Sequence, residues 1–159
     1  MMRRAFWLLL PVVLVVLDRC TKLWASRTLS LGIPVALVGD VVRLTRVHNT
    51  GGAFGIFPSG QAVFLAVSAT VAATLLLALV MIRDLKPFLR LGLTLVFAGA
   101  VGNLIDRAAF GYVLDYFEIR GFPVFNVADS CISVGAAFLV VYALWGGGRH
   151  RTCGQADRV

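Results

Sequence analysis

The sequence predicts an α-helical integral membrane protein, four transmembrane helices with a small extramembrane β element between the first and the second. Three observations predict it. The 159 residues are 59% hydrophobic and 14% charged, with a mean hydropathy of +0.88, too apolar for an ordinary water-soluble domain. The apolar residues gather into four long runs separated by short polar stretches. Between the first two runs, glycine and proline punctuate β-branched segments, the pattern of strands and turns. The chain therefore reads as one membrane domain.

The net charge of +7 points to lipid. Its basic residues flank the apolar runs, with neither a basic block nor an aromatic platform. Nucleic acid is therefore not expected as a partner, and anionic head groups are the counter-charge. Three cysteines, Cys20, Cys131 and Cys153, make no CxxC pair, so neither a disulfide framework nor a metal site is expected.

The first span is expected over about 6–25. Arg3 and Arg4 before the run Phe6–Leu17 have the layout of a secretory signal peptide. Cys20 even follows, but Asp18 and Arg19 stand where a lipoprotein signal needs small residues, so cleavage is not expected. Continuing the helix to Ala25 supplies the ~20 residues of a crossing. Asp18 and Lys22, at i and i+4, share a face and read equally as a helix-end ion pair or as functional groups.

The β element is expected over about 28–60, with Val35–Val38 and Val41–Val47 as its β-branched runs. Its polar turn, Val47-His48-Asn49-Thr50-Gly51-Gly52-Ala53-Phe54, reads as a hairpin turn or as a site. His48 has no carboxylate or cysteine partner at ligand spacing. The second span, about 62–82, carries no charge until Arg83-Asp84-Leu85-Lys86-Pro87 ends it. The third, about 88–105, returns antiparallel beside it, and the fourth covers about 127–145. Residues 146–159 read as a flexible basic tail. Four spans place both termini on one side. Arg3 and Arg4, the compact basic loop 83–90 and six of the eight acids on the other face make that side the cytoplasm.

Chemistry concentrates between Gly99 and Ser130, which holds Asp106, Asp115, Glu118 and Asp129, four of the eight acids. Acids at the ends of membrane helices are costly and mark functional sites. Gly99, Asn103, Asp106 and Arg107 fall on one helical face by spacing, and Asp106 with Arg107 also fits a solvated helix end. Asp115 lies in Tyr112–Phe117, an amphipathic or interfacial stretch. Asn126 and Asp129 fit an N-cap and an acid at the helix dipole, which would explain both. The competing reading places Asp129 across the bundle from Asp115, where two close carboxylates share a proton and can activate water. A carrier with an ion relay, or a scaffold bundle glued by polar residues, are the other classes. An internal repeat is not seen, and the acids cluster at one end.

Asp18-Arg19-Cys20-Thr21-Lys22, Asn49-Thr50-Gly51-Gly52-Ala53-Phe54, Gly102-Asn103-Leu104-Ile105-Asp106-Arg107, Val113-Leu114-Asp115-Tyr116 and Phe125-Asn126-Val127-Ala128-Asp129-Ser130 resemble the five motif blocks of bacterial lipoprotein signal peptidase, or signal peptidase II. The blocks appear in that family's order. The resemblance implies a four-helix aspartyl protease of the bacterial cytoplasmic (inner) membrane with its site near the outer surface. Such an enzyme removes signal peptides from prolipoproteins by cutting before the diacylglyceryl-modified cysteine, without metal or organic cofactor. It further implies Asp115 and Asp129 as the catalytic pair and Asn103, Arg107 and Asn126 as polar residues lining the site. Asn49 and Gly51 match the extramembrane loop near substrate, Asp18 and Lys22 the first-helix motif, and Asp106 a structural position, with Glu118 as a bystander. A monomer is expected. Gly52, Arg19 and Tyr116 stand where the family often has Ala, Gln and Phe.

Overall fold

The computed structural model describes residues 2–50, 61–82 and 84–146. In chain order they form α1 (Met2–Thr28), β1 (Val35–Val38), β2 (Val42–Asn49), α2 (Gln61–Met81), α3 (Pro87–Phe110), β3 (Val113–Ile119) and α4 (Val127–Gly146). α2, α3 and α4 are long and apolar enough to cross a membrane, with mean hydropathies of 2.5, 1.7 and 1.9. α1 is long enough but carries six charged residues, Arg3, Arg4, Asp18, Arg19, Lys22 and Arg27, and is not among these candidates. The expected tail beyond Gly146, apart from that residue, lies outside the described residues.

Two helices run further than the sequence reading expected. α1 continues past Ala25 to Thr28 because no breaker intervenes and its hydroxyls fold back on its own carbonyls. Ser26 Oγ donates to Leu23 O at 2.8 Å and Thr28 Oγ1 to Trp24 O at 2.9 Å. α3 starts on Pro87, where the missing N–H costs nothing, and continues past Ile105 to Phe110. Gly111 ends it in the left-handed region at φ 79°, donating its N–H to Arg107 O. Asp106 and Arg107 thus sit inside the helix, and Asp106, with 1% of its surface exposed, is not a solvated helix end.

α3 is the central helix, packed against each of the other three. Its approach to α4 depends on absent side chains. A Cβ at Gly99 would collide with the Ala128 carbonyl oxygen, and one at Gly135 would come within 2.8 Å of Gly92 O. Close backbone approach through small residues is the usual glue where no hydrophobic effect drives helices together.

The β element is larger than expected and is not confined to 28–60. It is a three-stranded antiparallel sheet of order β1-β2-β3, whose third strand comes from between α3 and α4. Tyr112–Phe117, read as amphipathic or interfacial, is mostly this strand. β2 pairs with it from Val42↔Ile119 to Asn49↔Val113, with an irregularity between Leu44 and Val47. Leu44 faces Phe117 and Val47 faces Asp115, so β2 spends three residues where β3 spends two. That bulge moves Asn49 onto the side of β2 that Leu44 occupies, which plain alternation would not do. Leu114 and Tyr116 pack with Ala25 of α1 and with Leu29 just beyond it, seating the sheet on the end of that helix.

Candidate active site

The site is built where β3 meets the start of α4. Beyond β3 the chain turns at Gly121, φ 83°, and comes back so that Phe125 pairs with Phe117, the N–H of each donating to the carbonyl of the other at 2.9 and 2.8 Å. This delivers Asn126 beside Asp115. Asn126 then caps α4: its Oδ1 accepts the Asp129 N–H at 2.9 Å, while Asp129 Oδ2 accepts the Asn126 N–H at 3.2 Å. The reciprocal pair is a capping box, with Asp in the third helical position. The capping reading of the sequence holds in full.

Capping is only part of what Asn126 does. Its side-chain Nδ2 donates to Asp115 Oδ1 at 2.6 Å, so a single buried residue is bonded to both carboxylates. The other oxygens are also occupied. Asn49 Nδ2 donates to Asp115 Oδ2 at 2.9 Å, and Asn103 Nδ2 to Asp129 Oδ1 at 2.7 Å. All four carboxylate oxygens of the pair therefore receive neutral N–H donors. Burial pushes the Asp115 carboxyl up from its ordinary 3.8 to about 7, the nearby Asp129 adds to the rise, and the Asn49 and Asn126 hydrogen bonds oppose it. A carboxyl near 7 is about half protonated at neutral pH, so the pair can hold a shared proton there.

Behind the pair lies an ionic hub. Lys22 Nζ is 3.0 Å from Asp18 Oδ2 and 2.8 Å from Asp106 Oδ2, and Arg19 bridges the same two acids at 3.0 and 2.6 Å. Two cations match two anions, as buried charges require. The acids also hold backbone: Asp18 Oδ1 accepts the Ala128 N–H at 3.0 Å and Asp106 Oδ2 the Leu114 N–H at 3.2 Å. The hub thus grips the residue before each carboxylate of the pair and fixes the spacing between β3 and α4. A Cβ at Gly102 would come within 2.9 Å of Asp18 Oδ2, so the hub needs that glycine.

Lys22 also sets the orientation of Asn103. Its ammonium has only donors and lies 3.1 Å from Asn103 Oδ1, so the amide must turn its NH2 toward Asp129. Asp18 and Lys22 are consequently both an ion pair and part of the support of the site. Asp106 stays in the hub. Glu118 is bonded by Thr45 and Arg43 on the sheet, which hold it below the usual carboxylate range, Thr45 foremost.

A cavity of about 550 Å³ opens over the pair. Asp115 and Asp129 lie in its lining with Asn49, Asn103 and Arg107. Its other walls are mostly apolar, from Phe122–Phe125 and from Ile132 and Val134 of α4, with Ser130 and Ser133 of the same helix also in the lining. Gly51 and Gly52 lie outside the described residues. His48 stacks on Tyr112 with ring centroids 3.8 Å apart, and its Nε2 is 3.2 Å from Arg46 Nη2. Burial, then Arg46, lowers its pKa, the setting of a packed neutral imidazole. Among the described residues no three His, Cys, Asp or Glu side chains converge as metal ligands.

Two contributors were missed in the sequence reading. Arg19 was noted only as a departure, although it closes the hub. Ser68 of α2, a hydroxyl in an otherwise apolar face, accepts a hydrogen bond from Arg107 Nη1 at 3.1 Å. Its only signal in the sequence was polarity inside an uncharged span.

Comparison with known proteins gives concordant matches. The family described as Signal peptidase (SPase) II matches residues 10–145. A lipoprotein signal peptidase of Halothermothrix orenii is 39% identical over 134 residues, 84% of this chain and 91% of that protein. One of Symbiobacterium thermophilum is 40% identical over 139 residues, 85% and 91% of the two chains. A solved bacterial membrane enzyme superposes with a TM-score of 0.85 at 26% identity, covering 96% of this chain and 95% of its own.

Proposed function

We propose, from the premise that this chain belongs to the signal peptidase II family, that it is an aspartic endopeptidase removing the signal peptides of prolipoproteins, with Asp115 and Asp129 as its reacting pair. The cut falls before the diacylglyceryl-modified cysteine. The observation that carries this reading is the double attachment of Asn126, side chain to Asp115 and main chain to Asp129, at a cavity with mostly apolar walls. It ties the two carboxylates into one unit able to share a proton near neutral pH.

The chemistry follows from that proton. The ionised carboxylate of the pair removes a proton from a water as its oxygen adds to the carbonyl carbon preceding the lipidated cysteine. The protonated partner donates to the carbonyl oxygen. Collapse of the tetrahedral intermediate breaks the C–N bond, and the amine leaves with a proton from the pair. The products are the free signal peptide and a lipoprotein whose N-terminal cysteine bears the new amine. The shared proton belongs to the pair and is not assigned to one oxygen. Asn49, Asn103 and Asn126 hold the carboxylates as neutral donors, and Arg107 supplies a cation at the cavity wall. Gly51 is read, with Asn49, as part of the substrate-side loop.

In the bilayer, α1 is read as a fourth span beside α2, α3 and α4, so the protein crosses the bacterial inner membrane four times as one domain. Both termini then lie in the cytoplasm, the site near the outer surface. The exposed apolar residues of the β1 hairpin, Leu31, Ile33, Val35, Leu37 and Val38, support a sheet that rests against lipid. The acyl chains of the substrate would stay in the bilayer beside α4 and enter past Ile132 and Val134. The protein is read as a monomer, since donors of its own chain satisfy all four oxygens of the pair and the site needs no residue from a second copy.

The deciding experiment uses purified protein in detergent with a diacylglyceryl prolipoprotein and its unlipidated counterpart. Wild type cleaves only the first, while Asp115→Asn and Asp129→Asn insert normally and cleave neither. Near-normal turnover by either variant would sink the dyad.

A further inference from the structure

We propose that Ser68 is a positioning residue, which together with Phe64 holds the Arg107 guanidinium on the α2 side of the cavity and keeps that cation off the two carboxylates. The proposal rests on the reading of Asp115 and Asp129 as the reacting pair.

The geometry begins on α2. Phe64 and Ser68 are i and i+4 on one face, both half-buried, while Ala66, Val67, Ala69 and Thr70 around them are exposed. That face meets Arg107. Nη1 of the arginine donates to Ser68 Oγ at 3.1 Å, and the guanidinium carbon lies 5.5 Å from the centre of the Phe64 ring, within reach of a cation–π contact. Arg107 makes no ion pair among the described residues, although it lines the same cavity as Asp115 and Asp129.

The charges around it explain why this restraint matters. Asp115 approaches from β3, Asp129 from α4, and Asp106 belongs to the same helix as Arg107. From α1 come Asp18 and Lys22, with Arg19 beside them. Asp18, Asp106, Arg19 and Lys22 form a neutral set among themselves. Arg107 is therefore the cation at the cavity with no carboxylate of its own, facing a pair whose four oxygens are bonded by neutral donors. An arginine that swung onto either carboxylate would favour the doubly ionised state, and the proton that the protonated partner donates to the scissile carbonyl oxygen would be gone. Ser68 gives the guanidinium a partner elsewhere.

The test is a carboxyl titration by 13C NMR on aspartate-labelled protein in detergent micelles, with the Asp115 and Asp129 signals assigned from their Asn variants. In Ser68→Ala the upper titration step of the pair should fall by about one pH unit, the lower end of the effect of a cation brought within contact range. In the pH profile of cleavage, kcat at pH 8 should then fall about tenfold with KM within twofold of wild type, because the alkaline limb moves down by the same amount. Ser68→Thr, which keeps the hydroxyl, should restore both. A Ser68→Ala titration that superposes on wild type, or a loss that Ser68→Thr does not rescue, overturns the proposal. The NMR titration requires no turnover, so a wild-type protein that cuts no lipopeptide would refute the parent reading and still leave Ser68 to be decided.

Discussion

Replacing Asp115 with Asn should make the protein more stable as pH rises, relative to wild type, while abolishing its activity. Burial raises the Asp115 carboxyl to about 7 from an ordinary 3.8. The sign follows from proton binding. Between those two values the folded state holds a proton that the unfolded state has released, so wild-type stability falls as pH rises through that window. The gap is about three pH units, and at about 1.4 kcal/mol per unit the full penalty above pH 7 is about 4 kcal/mol. Asparagine does not ionise and escapes all of it. It has a separate, pH-independent cost of about 1–3 kcal/mol, because Asn49 and Asn126 both donate to Asp115 and an amide offers only one acceptor oxygen to the two of them. The two contributions separate by pH. Moving from pH 5 to pH 8 should widen the advantage of Asp115→Asn by about 2–3 kcal/mol. Urea or thermal unfolding of the extramembrane sheet in micelles at those two pH values, followed by Trp24 fluorescence next to Tyr116, reads the difference. Parallel stability curves for variant and wild type would refute the reasoning, since they would mean that Asp115 is ionised in the folded protein without penalty.

Asn126→Ser separates the two duties of that residue. Serine still caps α4 but cannot reach Asp115, so kcat should fall about 10- to 100-fold, the worth of a hydrogen bond to a charged group, with a loss of stability no greater than about 1–3 kcal/mol, that of one unpaired buried oxygen. A large fall in melting temperature would instead mean that Asn126 acts mainly through folding. For orientation, a reporter fused after Arg151 should remain cytoplasmic, and a periplasmic signal would overturn the arrangement of four spans.

The parts of the fold legible in the sequence were those specified by neighbours along the chain. Residues 62–82 announce α2 by their lack of charge, and Pro87 marks where α3 begins, whereas its far end at Gly111 lies beyond the expected stop near 105. The cap at Asn126 was legible for the same reason. β3 was not, because Val113–Ile119 sets Asp115 and Glu118 either side of the adjacent Tyr116 and Phe117 with no two-residue alternation, and what makes it a strand is a partner 64 positions away, Asn49 opposite Val113. The site was legible at the level of residue type: the motif blocks identified Asp115, Asp129 and their asparagines. Their division of labour was hidden. Only three-dimensional proximity shows that Asn126 binds both acids, that Lys22 turns Asn103, that Arg19 neutralises Asp106, or that Arg107 leans on α2.

The origin of β3 also bears on how the protein is made. As the chain emerges, β1 and β2 are complete before α2 and α3 exist, yet β2 acquires its second neighbour only after both of those helices are in place. Through that interval the hairpin carries an unsatisfied edge beside exposed valines and leucines, a template for wrong pairing unless something shields it. Contacts of such long sequence separation form late. The two acids follow later still, on β3 and α4, and the Asn49 hydrogen bond to Asp115 waits for β3. With Asp115 and Asp129 in their proposed roles, hydrolytic competence is the last property the nascent chain acquires, so a molecule truncated or stalled before α4 would be a membrane protein with most of its helices and no capacity to cut.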